Sequence, residues 1–174
     1  MWFRYFLGFA VTITIDVDAI EVFPDIFHIQ RLQRATHLIG TASHWSLAVG
    51  LIPVPFLDAA ALATIQSKLL MNLSGLYGEK VKKELASSVI SVVLGTLIPL
   101  GVTKSAIGLT AKFLPGAGSI IGSISMATMG ATATKVIGKV FVRHFENGGT
   151  LTRLSESTLK AELREEFMKA KYKV

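Results

Sequence analysis

The chain has 174 residues, enough for one ordinary domain and too few for two. Half of it is hydrophobic (51%), only 17% is charged, and mean hydropathy is +0.52. Average soluble domains carry roughly a quarter charged residues, so this balance favours a membrane or a large permanent interface. There is no cysteine, which excludes disulfides, thiolate metal sites and cysteine nucleophiles.

The opening segment, MWFRYFLGFAVTITI, has one cation (Arg4) and an apolar run, the outline of a secretory signal. No A-x-A-like cleavage site precedes Asp16 and Asp18, so the segment is read as structural. Residues 11–19 alternate apolar and polar with strand periodicity. A lone strand cannot form a sheet, so the stretch is an extended arm or a helix that defeats the pattern. Pro24 is expected to break whatever precedes it, with a helix over 27–35.

From Ala35 to Leu57 no Asp, Glu, Lys or Arg occurs, and the run ends in I-P-V-P at 52–55. Two alternate prolines cannot lie in a regular helix. One helix therefore ends near Val49–Gly50, and the next begins with Pro55 near its first turn. Leu62, Ile65, Leu69, Leu73 and Leu76 recur at steps of three and four and form one apolar face. Gly75 and Gly78 supply the stop. Glu79–Lys83 and Lys80–Glu84 then offer i,i+4 helix pairs.

Two uncharged runs follow, 85–103 and 113–134, joined by K-S-A-I-G-L-T-A-K at 104–112. The first has 19 positions, about the length of helix that crosses a hydrocarbon core. Pro99 and Gly101 weaken its last turn, and Pro115–Gly116 opens the second run. Together they predict an apolar helical hairpin. Spanning the bilayer, shallow association with it and burial in a soluble bundle all stay open. Asn147-Gly148-Gly149 predicts a turn, and 151–174 an amphipathic helix with Leu159, Leu163 and Phe167 on its apolar face. Glu156–Lys160 and Glu165–Lys169 support that helix as i,i+4 pairs.

The net charge of +6 falls in short groups that bracket the apolar runs. Lys80, Lys82 and Lys83 come before the hairpin, Lys104 and Lys112 between its arms, and Lys135, Lys139 and Arg143 after it. Nucleic-acid binders concentrate charge on one face with stacking aromatics, so none is expected as a partner. Cations beside apolar runs suit anionic headgroups, which makes Lys80, Lys82, Lys83, Lys135, Lys139 and Arg143 the candidate membrane-surface residues. Simple solubilisation of helix ends is the plainer alternative.

Candidate chemistry is sparse. A Walker loop needs Gly-Lys-Ser/Thr after a glycine-rich turn, and neither Gly101 to Ser105 nor Gly138-Lys139 has that spacing. No nucleotide binding by the chain itself is expected. P-G-A-G-S at 115–119 reads as a helix break better than as an anion cradle. His37 and His44 lie about 10 Å apart along a helix, too far to share an ion directly. With no H-x-x-x-H or E-x-x-H pair, no metal or other cofactor is predicted. No G-x-S-x-G occurs. The distinctive signal is steric: Gly118 and Gly122 form G-x-x-x-G, with Ser119, Ser123, Ala127 and Ala131 continuing a small-residue stripe. Such a stripe admits a second backbone, expected to be the 85–103 helix or its copy in an oligomer; chance in a glycine-rich stretch is the alternative.

Several stretches resemble a known family: I-P-V-P-F-L-D (52–58), A-L-A-T-I-Q-S-K-L-L (61–70), L-Y-G (76–78), L-P-G-A-G-S-I-I-G (114–122) and G-K-V-F-V-R-H-F-E-N-G-G (138–149). In that order and spacing they resemble the bacterial domain of unknown function 697, over about 38–150. The resemblance implies a helical module beside a membrane, of a kind often found C-terminal to an Era-like GTPase domain. No GTPase domain lies in this sequence, and the family implies no catalytic residues.

The expected fold is all-α: a single bundle with a central apolar hairpin and a C-terminal amphipathic helix. Its parts are an N-terminal arm or extra helix (1–35), the apolar domain (36–150) and the final helix (151–174). The expected function is a non-catalytic membrane-associated scaffold or partner module, acting with a separate GTPase or as a subunit of a larger assembly. The alternative is a small membrane-inserted pore or remodelling protein that self-assembles through the small-residue face. Expected partners are membrane lipids, a GTPase or other protein, and further copies of the chain. The expected location is the cytoplasmic side of a bacterial inner membrane, or the cytoplasm.

Overall fold

A computed structural model describes residues 17–51, 57–111 and 117–172, with side chains over 26–51, 60–100 and 127–172. The described residues form five α-helices and no strand. These are α1 (Val17–Gly50), α2 (Leu57–Leu76), α3 (Lys83–Ala111), α4 (Ala117–Glu146) and, after a 3₁₀ turn at Leu151–Arg153, α5 (Glu156–Tyr172). The fold is an all-α bundle. Contacts divide the chain into two compact units, Met1–Gln33 and Arg34–Val174, and the bundle is the second.

α3 is the central helix, packed on α2, α4 and α5; α2 also meets α4, and α5 also meets α4. The apolar periodicity explains the core. Leu70 and Leu73 of α2, Ile90 and Val93 of α3, Ile137 and Phe141 of α4 and Leu163 of α5 are all fully buried. Each such side chain contributes about 1.5–3 kcal/mol by leaving water. On α2 the buried centre is Leu69, Leu70 and Leu73, while Leu62, Ile65 and Leu76 are half-covered. α5 buries Leu159, Leu163 and Phe167, the i, i+4, i+8 face its sequence predicts.

Two turns lock one end of the bundle. Gly78 (φ +80°) and Gly148 (φ +72°) lie in the left-handed region that ends α2 and α4 cheaply. Between these turns, the Tyr77 hydroxyl donates to Glu146 Oε1 at 2.5 Å and the Tyr77 ring stacks on Phe145 with centroids 5.4 Å apart. The Leu151 N–H donates to the Glu79 carboxylate at 3.0 Å. L-Y-G and H-F-E-N-G-G, far apart in sequence, therefore meet as one clasp.

Of the two readings left open for 11–19, residues 17–19 take the helical one, and 11–16 lie outside the described residues. The structure corrects three local expectations. α1 runs through Pro24, because a proline removes one amide from a ladder that the other residues maintain. The 104–112 joint is helical as far as Ala111 and belongs to α3. Residues 79–82 precede α3, so Glu79–Lys83 and Lys80–Glu84 are not helix pairs. Glu79 holds the amide of Leu151 instead.

Candidate membrane-contact and helix-packing surfaces

Among the described residues one helix is long and apolar enough to cross a membrane, Lys83–Leu100 of α3. Its apolar residues are largely covered by the bundle, with Ile90, Val93 and Leu97 buried and Leu85, Val89, Val92 and Leu94 half-buried, while Lys83, Glu84, Ser87, Ser88, Ser91, Gly95, Ile98 and Pro99 are exposed. Two of its hydroxyls are returned to the backbone. Ser91 and Thr96 donate to the carbonyls four residues back, at 2.9 and 2.8 Å. Thr64, Ser74, Thr132 and Thr134 on the neighbouring helices do the same. Hydroxyls that bond their own backbone leave a helix face apolar. α1 adds exposed Trp45, Leu47 and Leu51. Tryptophan suits the headgroup level of a bilayer, and sequence periodicity gave no hint that Trp45 faces outward.

The six candidate surface cations are all exposed, but they fall into two sets. Lys80, Lys82 and Lys83 cluster at the start of α3, and Lys135 stands on α4. Lys139 and Arg143 are engaged by α5. Lys139 pairs with Glu166 at 3.1 Å, and Arg143 with Glu162 at 3.0 Å and Glu166 at 3.7 Å. The hydrogen bond that Arg143 donates to the Glu162 carboxylate holds its guanidinium above its ordinary pKa. On α5 itself, Lys169 lies 2.6 Å from Glu165 and holds that carboxyl below its usual range. The Lys171 ammonium reaches the Leu100 carbonyl at 3.2 Å, just past Pro99. α5 is thus pinned to both arms of the hairpin.

Of the small-residue stripe, Gly118, Ser119, Gly122 and Ser123 are placed on α4 by their backbone alone, while Ala127 is buried. Ala127 meets α1: a Cβ added to Gly50 would lie 2.8 Å from the Ala127 amide nitrogen. Further along α4, a Cβ at Gly138 would come within 2.6 Å of Ile39 Cδ1 of α1, whereas one at Gly130 would be in ordinary contact, 3.4 Å from Leu62 of α2 and 3.6 Å from the Ser46 carbonyl oxygen. Gly130 and Gly138 were absent from the sequence-predicted stripe because their spacing mixes steps of three, four and eight.

Polar groups lie in the same seam. Ser46 Oγ and Thr134 Oγ1 are 2.8 Å apart, and Gln66 Nε2 donates to Thr134 Oγ1 at 3.4 Å. Ser43 Oγ and Gln66 Oε1 are buried without a hydrogen-bond partner among the described residues. Ser, Thr and Gln can ligate little by themselves, and no cluster of three His, Asp or Glu stands ready for a metal among the described residues. The seam joins helices; nothing in its composition activates a nucleophile.

Five helices packed around a shared apolar core, one of them long and apolar enough to cross a membrane, define an all-α helical domain. The chain belongs to the family described as Domain of unknown function (DUF697), whose model matches residues 18–171. That is wider than the 38–150 spanned by the recognisable motifs, and takes in most of α1 and α5. The chain is also similar to Magnetosome membrane protein 22 of Magnetospirillum gryphiswaldense, with 35% identity over 127 residues. The match covers 72% of this chain and 65% of that protein, a little less than two thirds of its length. No solved structure matches the chain.

Proposed function

We propose that the chain is a non-catalytic, membrane-associated helical module that presents α3 and its flanking lysines to a bilayer. The observation that carries this reading is the 83–100 helix, long and apolar enough to cross a membrane, with a cluster of lysines at its start. The relative that is a magnetosome membrane protein supports it. In this reading Lys80, Lys82, Lys83 and Lys135 face anionic headgroups, each adding about 1 kcal/mol near the surface. Lys139 and Arg143 join them only where α5 moves away. The bilayer is the cytoplasmic side of a bacterial inner membrane or an internal membrane derived from it.

A separate GTPase or a larger assembly remains the proposed protein partner, supported by the family's habit of accompanying such enzymes. The stripe of Gly118, Ser119, Gly122 and Ser123, continuous with Ala127, is the proposed contact for a further helix or a second copy. Insertion of the α3–α4 hairpin as a pore is the second reading. It is favoured by the length of α3, and it requires the charged helix α5 to leave that hairpin.

Sedimentation with vesicles tests both. Purified protein should pellet with phosphatidylglycerol-containing vesicles, less so as salt rises, and should be released by a high-pH carbonate wash. Retention through the wash would favour the inserted hairpin, and no pelleting with any vesicle would end the membrane reading.

A further inference from the structure

We propose that the outward face of α1 from Trp45 to Leu51 lies in lipid, with Trp45 at the headgroup level and Leu47 and Leu51 beneath it. This rests on the membrane reading above and adds a second helix and a depth to it. The end of α1 is built inside out. Its inward side is small or hydroxylic: Ala42, Ser43, Ser46 and Gly50 are buried. Its large apolar side chains point the other way, with Trp45 63%, Leu47 40% and Leu51 50% exposed. A helix made for water turns its large apolar residues to the core and its polar ones outward. A helix made for lipid can do the reverse, because acyl chains solvate leucine and tryptophan while small residues and hydroxyls pack inside.

The inward hydroxyls also fix a height. Ser46 Oγ lies 2.8 Å from Thr134 Oγ1, and Gln66 Nε2 donates to the same oxygen at 3.4 Å. These bonds set α1, α2 and α4 level with one another. Trp45 precedes Ser46, Lys135 follows Thr134, and Lys68 stands two residues past Gln66; all three are exposed. An indole and two ammonium groups, from three helices, therefore stand at one height of the bundle. The indole suits the membrane–water interface, and the lysines complement the charge of anionic headgroups there.

Charge divides at that height. On the side toward Leu51, the described side chains of these three helices, 46–51, 60–67 and 127–134, include no Asp, Glu, Lys or Arg. On the other side α4 carries Lys139, Arg143 and Glu146. From Trp45 to Leu51 is about 9 Å along a helix, less than one leaflet of a hydrocarbon core about 30 Å thick. α3 has the same polarity. It begins beside the clasp that Glu79 makes with Leu151 and packs along α2 and α4, so Lys80, Lys82 and Lys83 stand at the shallow end.

The test reads depth on the full chain bound to phosphatidylglycerol-containing vesicles whose acyl chains carry bromine either near the headgroup or near the chain end. The chain has two tryptophans, so Trp2→Phe leaves Trp45 as the sole reporter. Adding Trp45→Phe with Leu51→Trp moves the reporter to the end of α1. Adding Trp45→Phe with Ser157→Trp moves it to the exposed start of α5. On binding, Trp45 emission should shift to the blue and be quenched most by the shallow bromine. The reporter at 51 should be quenched most by the deep bromine, and the one at 157 only by iodide in the water. Leu47→Ser with Leu51→Ser should weaken vesicle binding about tenfold. Its melting temperature in buffer should stay level, because both side chains already face water there.

Full iodide access at both Trp45 and position 51 in vesicle-bound protein would overturn the immersed face. So would unchanged vesicle binding by the serine variant, or a lowered melting temperature that assigns Leu47 and Leu51 to packing. A blue shift that appears without vesicles and grows with protein concentration would overturn it in favour of a second copy. When the parent does not pellet with any vesicle, the membrane reading itself fails. When it pellets with Trp45 still in water, only the α1 face does.

Discussion

The two flanks of α4 are held by different physics. Toward α1, backbone meets backbone at Gly50 and Ala127, the Ile39 side chain seats on Gly138, and the Ser46–Thr134 hydrogen bond is buried. Toward α5, large side chains do the packing: Val140 and Phe141 of α4 share the core with Leu159, Leu163 and Phe167 of α5, and ion pairs run along the exposed rim. Dispersion between close backbones and hydrogen bonds out of water hold equally well in lipid. Burial of leucine and phenylalanine has a driving force only where the alternative is water. The α1 side thus depends less on surrounding water than the α5 side does.

The largest effect should come from Phe167→Ala, which empties the α5 seat. Phenylalanine truncations in cores cost about 3–5 kcal/mol, a large share of the 5–15 kcal/mol that holds a typical domain. Urea unfolding in buffer should show the loss in full. With vesicles present it should shrink, because lipid can then cover the part of α3 that α5 packs against. An equal loss in both media would mean that α5 stays docked at the bilayer.

Gly50→Leu breaks the other side. The added side chain meets the backbone of Ala127, which no rotamer change relieves. Overpacking costs typically 1–3 kcal/mol, and here the loss should be the same in buffer and in vesicles. Gly122→Leu asks whether the stripe continues toward the start of α4: a loss of stability or of assembly would extend the seam there. The volume-conserving Ile120→Leu serves as its control. If Gly122→Leu changes neither, residues 118–123 lie outside the seam.

The regular parts of this fold were legible because each is a simple period. Leu159, Leu163 and Phe167 announce α5, the glycines at 78 and 148 announce the stops, and the uncharged runs announce the hairpin. Contacts between distant elements left no such mark. Nothing near Glu79 shows that its partner is the amide of Leu151, so the local i,i+4 rule claimed it for a helix. Lys139 and Arg143 read as free cations because the glutamates that meet them are 19 to 27 residues away. Pro24 misled in the same sense, since propensity is local and a long packed helix can override it. Gly50, whose backbone comes close to Ala127, lies 77 residues away on α1, beyond what a local pattern of small residues can point to.

Gln66 should behave opposite to a core residue. Its Oε1 is buried and unpartnered, and its 3.4 Å bond to Thr134 is long. Removing an unsatisfied buried polar group by a similar-sized apolar one is neutral or stabilising, by about 1 kcal/mol. Gln66→Met should therefore leave the melting temperature level or raise it. A clear loss would mean that Gln66 holds the α1, α2 and α4 seam together through contacts stronger than these distances imply.

The smallest effect belongs to the charged rim of α5. Exposed ion pairs are worth about 0.2–1 kcal/mol each and fade with salt. Glu162→Gln with Glu166→Gln should therefore lower stability slightly in dilute buffer and not at all in molar salt. Its consequence at a membrane should be larger than its consequence in solution. Freed from Glu162 and Glu166, Arg143 and Lys139 can turn to phosphate, so vesicle binding should rise while stability falls. Acid acts on the same helix through Glu165, whose carboxyl is held below its usual range first by its hydrogen bond to Lys169. A depressed carboxyl stabilises the fold above the ordinary glutamate range and loses that contribution as pH falls through the lower folded value. Acidification should then loosen α5 before the α1 seam, read as earlier exchange of the α5 amides. If those amides protect to the same pH as the amides of α4, the two flanks unfold as one unit and the contrast between them has no dynamic consequence.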